Sequence, residues 1–300
     1  MDIQNIRAFV CIADSGSFSR AAEALFVTQP AVSKRITALE QSLGTRLFDR
    51  VGKQVRLTEA GRALLPGYRR ILAEMDDSRR ILSHLSEHTR GTLSMATSHH
   101  IGLHRLPAVL KQYSQHYPEV ELDIHFMESE QAFPRILHGD IELALVTLPD
   151  EEIPQLQQHT LWSDPMHCVV SRQHPLAKQP RTTLKQLAQT PAILPAAGTH
   201  TRELVDAALQ NHPPQNILLQ TGYLETISAM VQTGLGWSLL PDSMTGRNMV
   251  RLHSRQLKID RHLGIVLHRE RTLSNAASRL LEMLGITRPP GVLTCITPTL

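Results

Sequence analysis

The sequence predicts an α/β protein: a small basic helical module at the N-terminus, one long helix, and a larger body of alternating strands and helices. Three observations carry this. Apolar residues recur every three to four positions through the first forty residues, a 4-3-4-3 apolar stripe runs from residue 64 to 85, and short apolar runs alternate with amphipathic segments beyond Gly91. A chain of 300 residues that is 41% hydrophobic and 20% charged can bury two cores, which excludes a disulfide-stapled miniprotein. Cys11, Cys168 and Cys295 lie far apart without a CxxC pair, so neither a thiolate zinc site nor a disulfide framework is indicated. A basic n-region with an apolar core is missing from the first residues and no run of 18 apolar residues occurs, so a cytoplasmic protein away from membranes is expected.

The first helix is marked by Ile3, Ile6, Phe9 and Ala13 and is stopped by Gly16. Ser17 caps a second, about Phe18 to Leu25, whose Ala21 and Ala22 let another helix cross closely. Thr28 caps a third, with Pro30 in its first turn and Val32, Ile36 and Leu39 as its buried stripe. Two short helices joined so tightly make a helix-turn-helix. On the face the stripe leaves free lie Gln29, Ser33, Lys34 and Thr37. In the major groove Gln can read adenine, Lys can read guanine, and Ser can bond a base edge or a phosphate. Arg46, Arg50, Lys53 and Arg56 follow, flanking Leu47, Phe48, Val51, Val55 and Leu57 with a turn at Gly52, the pattern of a two-stranded wing. Residues 1–57 carry eight Lys/Arg against five Asp/Glu, so the net charge of +3 is concentrated here. Solvated charges on a plain three-helix bundle are the competing account, but caps, turn, polar face and basic wing occur together and in order.

From Thr58 to about Thr89 a helix roughly 48 Å long is expected, on which Leu64, Tyr68, Ile71, Met75, Leu82 and Leu85, with Ser78 in the gap, form a heptad seam. The expected partner is a second copy of the same helix; packing on the chain's own body is the alternative. Pro66 costs one helical hydrogen bond and Ser78 weakens the seam. Beyond Gly91 the expected strands are 93–97, 121–127, 143–147, 168–171, 192–194, 217–220 and 263–267, with helices near 103–117, 130–137, 201–210 and 224–234. This alternation predicts mostly parallel sheets with ligands at the strands' carboxyl ends, and a loosely ordered tail after Gly285.

The segments SFSRAAEAL at 17–25, VTQPAVS at 27–33, LG at 43–44, LFDR at 47–50 and LTEAG at 57–61 resemble the N-terminal signature of LysR-type transcriptional regulators. More loosely, GDIELAL at 139–145, HPL at 174–176 and GLG at 234–236 resemble the family's effector domain. The resemblance implies a winged helix-turn-helix over 1–57, a dimerising linker helix over 58–90, and a two-lobed, periplasmic-binding-protein-like effector domain over 91–300. The first lobe would comprise about 91–161 and 268–300 and the second about 162–267. It implies a sequence-specific regulator whose grip on promoter DNA, or bending of it, is modulated by a small effector between the lobes. Self-association as dimer or tetramer, and contact with RNA polymerase if the protein activates, are implied too. Carried onto this sequence, Gln29, Pro30, Ser33 and Lys34 touch bases and Arg50 and Lys53 hold phosphates; Thr28 and Thr37, at the start and on the free face of the same helix, are expected at the DNA as well. Lys34 stands where many members have Arg, which keeps the charge and loses the bidentate fork.

For the effector, Thr97, Ser98, His99 and His100 lead from a strand into a helix, where backbone N–H groups favour an anion. The resemblance implies that Ser98 bonds a ligand carboxylate or oxyanion and that Ser129 and Thr147, at the next two strands, line the cleft; Thr199 with His200 opens a helix of the other lobe. Ser and Thr at such places also serve as ordinary N-caps. The expected effector is a carboxylate or similar anion, with no catalytic residue and no cofactor. His100 and His104 are spaced i, i+4, with His125 and His138 as further candidates, but no thiolate or HExxH motif accompanies them, so no metal site is expected. No GxSxG elbow, P-loop or GxGxxG supports the rival reading of an enzyme. A small-molecule-binding protein without specific DNA binding is the other alternative.

Overall fold

The computed structural model describes residues 2–51, 54–83, 89–179, 181–254 and 257–286. They fall into two compact units, Met1–Leu85 with His138–Asp140, and Ser86–Leu137 with Ile141–Leu300.

The first unit holds α1 (Ile3–Ser15), α2 (Phe18–Ala24), α3 (Gln29–Leu43), the hairpin strands β1 (Phe48–Val51) and β2 (Gln54–Leu57), and α4 (Glu59–Ser83). Asp2 caps α1 by accepting from the Gln4 N–H, and Gly16, at φ 64°, ends it in the left-handed conformation that glycine adopts without strain. Ser17 caps α2 through the Arg20 N–H. Phe9, Ile12, Val32 and Leu39 are fully buried, and the Phe9 ring lies 5.3 Å from Phe48 and 5.6 Å, edge-on, from Tyr68. The Glu40 carboxylate accepts the Leu47 N–H at 2.7 Å, which ties α3 to the start of the hairpin. Where α4 begins, a Cβ on Gly61 would stand 2.3 Å from the Leu47 carbonyl oxygen, so only glycine fits.

The expected seam is divided. Leu64, Leu65, Tyr68 and Leu72 pack on the core of this unit, while Ile71 is 41% exposed. Leu65 and Leu72 flank Tyr68 at three- and four-residue spacing, which rotates the buried stripe onto α1. The first half of α4 thus buries Leu64 and Tyr68 of the expected seam within its own unit and leaves Ile71 exposed. Residues 84–88, and with them Leu85, lie outside the described residues.

The second unit runs β3 (Gly91–Thr97), α5 (His99–His104), α6 (Leu106–His116), β4 (Val120–Phe126), α7 (Ser129–His138), β5 (Leu143–Thr147), β6 (Leu156–Ser171), α8 (Leu184–Gln189), β7 (Ala192–Pro195), α9 (His200–Leu209), β8 (Ile217–Thr221), α10 (Leu224–Gln232), β9 (Ser238–Pro241), β10 (Met249–Arg251), β11 (Ile259–His268) and α11 (Asn275–Met283). One sheet has the order β10-β6-β11-β5-β3-β4, with β9 also on β6; β7 and β8 form a separate parallel pair. Only β4-β3-β5 is parallel in the large sheet; every pairing of β6 and β11 is antiparallel. The sheet is therefore mixed rather than mostly parallel, because two long strands pass one another in opposite directions.

Those two strands join two cores. Leu263, Ile265 and Leu267 belong with Leu93, Met95, Tyr113 and Leu280, whereas Met166, Cys168 and Ile259 belong with Trp237, Leu194 and Val205. The unit is accordingly two-lobed. Leu263 pairs with Trp162 and Gly264 with Thr160, so the register shifts there, and a Cβ on Gly264 would stand 2.1 Å from the His159 carbonyl oxygen. The strands pass from one core to the other between Trp162 and Met166 and between Ile259 and Leu263, the stretch that holds the Asp164–Arg261 register pair. The helix expected over 103–117 is broken at Arg105, with Pro107 in the first turn of α6. Residues 287–300, including Cys295 and most of the expected loose tail, lie outside the described residues.

Candidate DNA interface and effector cleft

On α3 the buried face is Val32, Ile36 and Leu39, and the opposite face is open. Thr28, Gln29, Pro30, Lys34 and Thr37 are exposed and Ser33 half-buried. The Gln29 amide donates to the Ser33 hydroxyl at 3.3 Å, and the Thr37 hydroxyl donates to the Ser33 carbonyl at 3.0 Å. Gln29, Ser33 and Thr37 thus form one row along a single face, at helical i, i+4, i+8 spacing. Thr28 sits at the N-cap, yet its hydroxyl makes no capping bond and is available to a ligand. The helix's exposed flank and the hairpin enclose a groove of about 970 Å³ lined by Ser33, Thr37, Glu40, Arg46 and Asp49 among others. Phe26, at φ 53° in the turn before α3, is 96% exposed. Sequence reasoning passed over it, since nothing local marks a left-handed Phe. Lys53 and the side chain of Arg50 lie outside the described residues.

In the second unit, six of the eight expected effector residues line one enclosed cavity between the lobes: Ser98, His99, His100, Ser129, Thr147 and Thr199. Its volume is about 30 Å³, room for about one water-sized group. Thr97 and His200 are not on its wall. Thr97 is fully buried and its hydroxyl donates to the Ser98 carbonyl. The His200 backbone N–H donates to the Glu130 carboxylate, with its Nδ1 3.0 Å from Glu203. The expected hydroxyls divide by role. Thr199 caps α9 by accepting the Arg202 N–H, and Ser129 accepts the Thr147 N–H at 3.1 Å, so both hold the backbone. Ser98, the N-cap of α5, makes no capping bond with its side chain. His99 is exposed, with its ring 5.7 Å from Phe126 and 4.9 Å from Tyr223, while His100 is 5% exposed.

The cavity wall also holds charges absent from the sequence expectation: Glu128, Glu130 and Arg261. Burial, reinforced by Glu130, raises the Glu128 carboxyl above its ordinary pKa. A Cβ on Gly222 would stand 1.9 Å from a Glu128 carboxylate oxygen, so Gly222 lets the two lobes meet there. Behind the wall, Arg261 donates through Nε and Nη2 to Asp164 and through Nη1 to the Thr201 hydroxyl at 3.1 Å, with Arg261 and Asp164 3% and 2% exposed. His100 Nε2 lies 3.8 Å from Asp164, and its Nδ1 lies 3.6 Å from Glu225 at the start of α10. Burial lowers the His100 pKa more than the neighbouring Glu225 carboxylate raises it, favouring the neutral ring. Burial pushes Glu225 up, but the His100 and His104 imidazoles outweigh it and hold the carboxyl below its ordinary value. The expectation of an unaccompanied His100/His104 pair is thereby altered, because the topology brings Glu225 to it from the other lobe. His125 lies apart, paired with Asp123 at 3.2 Å. The Glu-Ser-Glu run at 128–130, just past a strand's carboxyl end, was a legible signal; Asp164, Glu225 and Arg261 carried none.

Among the described residues no helix is long and apolar enough to cross a membrane. Residues 3–62 match the family described as bacterial regulatory helix-turn-helix protein, lysR family, and residues 86–286 match the LysR substrate binding domain. An uncharacterized HTH-type transcriptional regulator of Azotobacter vinelandii is 62% identical over 107 residues, covering 36% of this chain and 74% of that protein. The uncharacterized HTH-type transcriptional regulator YeiE of Escherichia coli is 31% identical over 286 residues, covering 93% of this chain and 96% of that one. In three dimensions, a full-length OxyR variant from Pseudomonas aeruginosa superposes with a TM-score of 0.69 at 23% identity, covering 95% of this chain and 93% of that one. The chain belongs to the LysR family: it is a DNA-binding transcriptional regulator with an effector-binding domain, and not an enzyme.

Proposed function

We propose that this regulator reads promoter DNA with α3 and that a small effector held between the two lobes modulates its binding or bending of that DNA. The observation that carries this is the row Gln29, Ser33 and Thr37 with exposed Lys34, on the face of α3 opposite its buried stripe. Pro30 packs against the groove, Thr28 offers a hydroxyl to a phosphate, and Arg50 and Lys53 of the wing add phosphate contacts that position the helix without reading sequence. Gel shift on the intergenic DNA beside the gene, with random competitor, tests this; a small-molecule-binding protein without DNA specificity would show no preference.

The effector we propose is a small carboxylate or similar anion, for which the lobes must part, since the cavity as it stands holds about one water-sized group. Ser98, whose hydroxyl caps nothing, Thr147 on the same wall and buried Arg261 support it. Glu128 and Glu130 on that wall favour an anion that also carries a hydrogen-bond donor, because two carboxylates facing a bare anion would repel it. Calorimetric titration with a panel of organic acids at two pH values tests this, and binding of uncharged compounds alone ends it. Association with further copies, as dimer or tetramer, belongs to the same reading and rests on the membership in the family. Contact with RNA polymerase where the regulator activates, and a cytoplasmic location, complete the reading.

A further inference from the structure

The geometry points to a metal site: His100, His104 and Glu225 bind one divalent transition-metal ion of the zinc type and thereby fasten the first lobe to the second. His100 and His104 stand one helical turn apart on α5, with ring centroids 4.9 Å apart. Glu225 reaches them from the first turn of α10. Its Oε1 lies 3.3 Å from His104 Nε2 and 3.6 Å from His100 Nδ1, and the three ligand atoms all lie within 4.8 Å of one another. Bonds of about 2.0–2.1 Å in a tetrahedral zinc site place neighbouring ligand atoms about 3.4 Å apart. The two carboxylate–imidazole separations already match that edge.

Hydrogen bonding points the same way. Both ring nitrogens of His100, which is 5% exposed, and both Glu225 carboxylate oxygens are buried without a hydrogen-bond partner. Native structures rarely leave four such atoms together unless something else coordinates them. Two imidazoles and one carboxylate suit zinc, nickel, cobalt or copper rather than calcium or magnesium, which favour oxygen. Asp164, 3.8 Å behind His100 Nε2, stands where a carboxylate orients a ligating imidazole, and it also offsets the Arg261 charge. His104, 36% exposed, gives an ion its entry. Three protein ligands leave one position for water or another small ligand. His100 is shared with the wall of the small cavity, whereas His104 and Glu225 lie off it, so His104→Gln tests the metal site apart from the effector reading.

The test uses full-length protein without a histidine tag, stripped with EDTA and titrated with Co²⁺ as a spectroscopic probe, then with Zn²⁺. The expected result is one Co²⁺ per chain with the visible absorption of a four-coordinate site, displaced by one Zn²⁺. Glu225→Gln and His104→Gln should each weaken binding at least about tenfold and erase the bands, and His125→Gln should leave them intact. His104 is near the surface and its replacement leaves the core untouched, so it decides the matter even if Glu225→Gln does not fold. Wild-type protein that takes up no Co²⁺, or variants that bind it as wild type does, would overturn the proposal.

Discussion

Arg261 and Asp164 are register partners on β11 and β6, 97 residues apart in the chain, and form a buried ion pair at the crossing of the two lobes. Neither charge is open to solvent, and Arg261 is the nearest partner of Asp164, with Arg105 4.0 Å away on its other oxygen. Removing Asp164's partner strands a charge at 2% exposure, and breaking a buried pair of this kind costs about 3–5 kcal/mol. Arg261→Met should therefore lower the stability of the effector domain by that amount in urea denaturation. The double replacement Arg261→Met with Asp164→Leu should recover most of the loss, since two apolar side chains strand nothing. Equal losses for the single and double variants would show that the pair is not what holds the crossing.

Gly61 is the tightest point in the first unit. Any side chain there pushes against the Leu47 carbonyl and the Leu57 side chain at once. Gly61→Ala should destabilise the N-terminal unit by about 1–3 kcal/mol, the usual cost of forcing atoms into a packed junction. Thermal unfolding of wild type and variant measures it, and an unchanged transition would mean that the backbone yields freely where α4 begins.

Acid should weaken the effector domain from about pH 6.5 downward. Burial holds His159 and His174 below the ordinary histidine value of 6.5, and the His174 Nδ1 must stay unprotonated to accept the Leu176 N–H. The unfolded chain takes up protons near pH 6.5 that the folded chain still refuses. The stability these rings contribute is therefore whole above about 6.5 and is lost as pH falls through their folded values. His174→Asn, which keeps an acceptor for Leu176, should reduce the fall in denaturation midpoint between pH 7.5 and 5.5. A fall of the same size in the variant would remove His174 from the account.

The DNA-binding unit was legible because its information is local: the cap at Ser17, the stop at Gly16, and a buried stripe at Val32, Ile36 and Leu39 all act within a turn or two. The effector cleft was half legible. Hydroxyls at strand ends, such as Ser98 and Thr147, were placed by the family resemblance. Asp164 and Arg261 could not be found that way, since only the antiparallel register of two long strands makes them neighbours. Glu225 reaches His100 through the approach of one lobe to the other, and no spacing along the chain encodes that. The helix α4 misled for a related reason. Its apolar residues support more than one stripe, and the choice between Ile71 and Leu72 as an inward position depends on where α1 already stands.

The central claim is that α3 reads bases while the wing holds phosphates. Binding of full-length protein to its own promoter and to random DNA, by fluorescence anisotropy over a range of salt, tests it most directly. Gln29→Ala should cut the preference for promoter over random DNA by about tenfold or more, the worth of one good base contact, and leave random-DNA affinity nearly unchanged. Lys53→Ala should weaken both and reduce the salt slope by about one counterion. If Gln29→Ala loses affinity equally on both DNAs, or loses none, α3 does not read the promoter and the account fails.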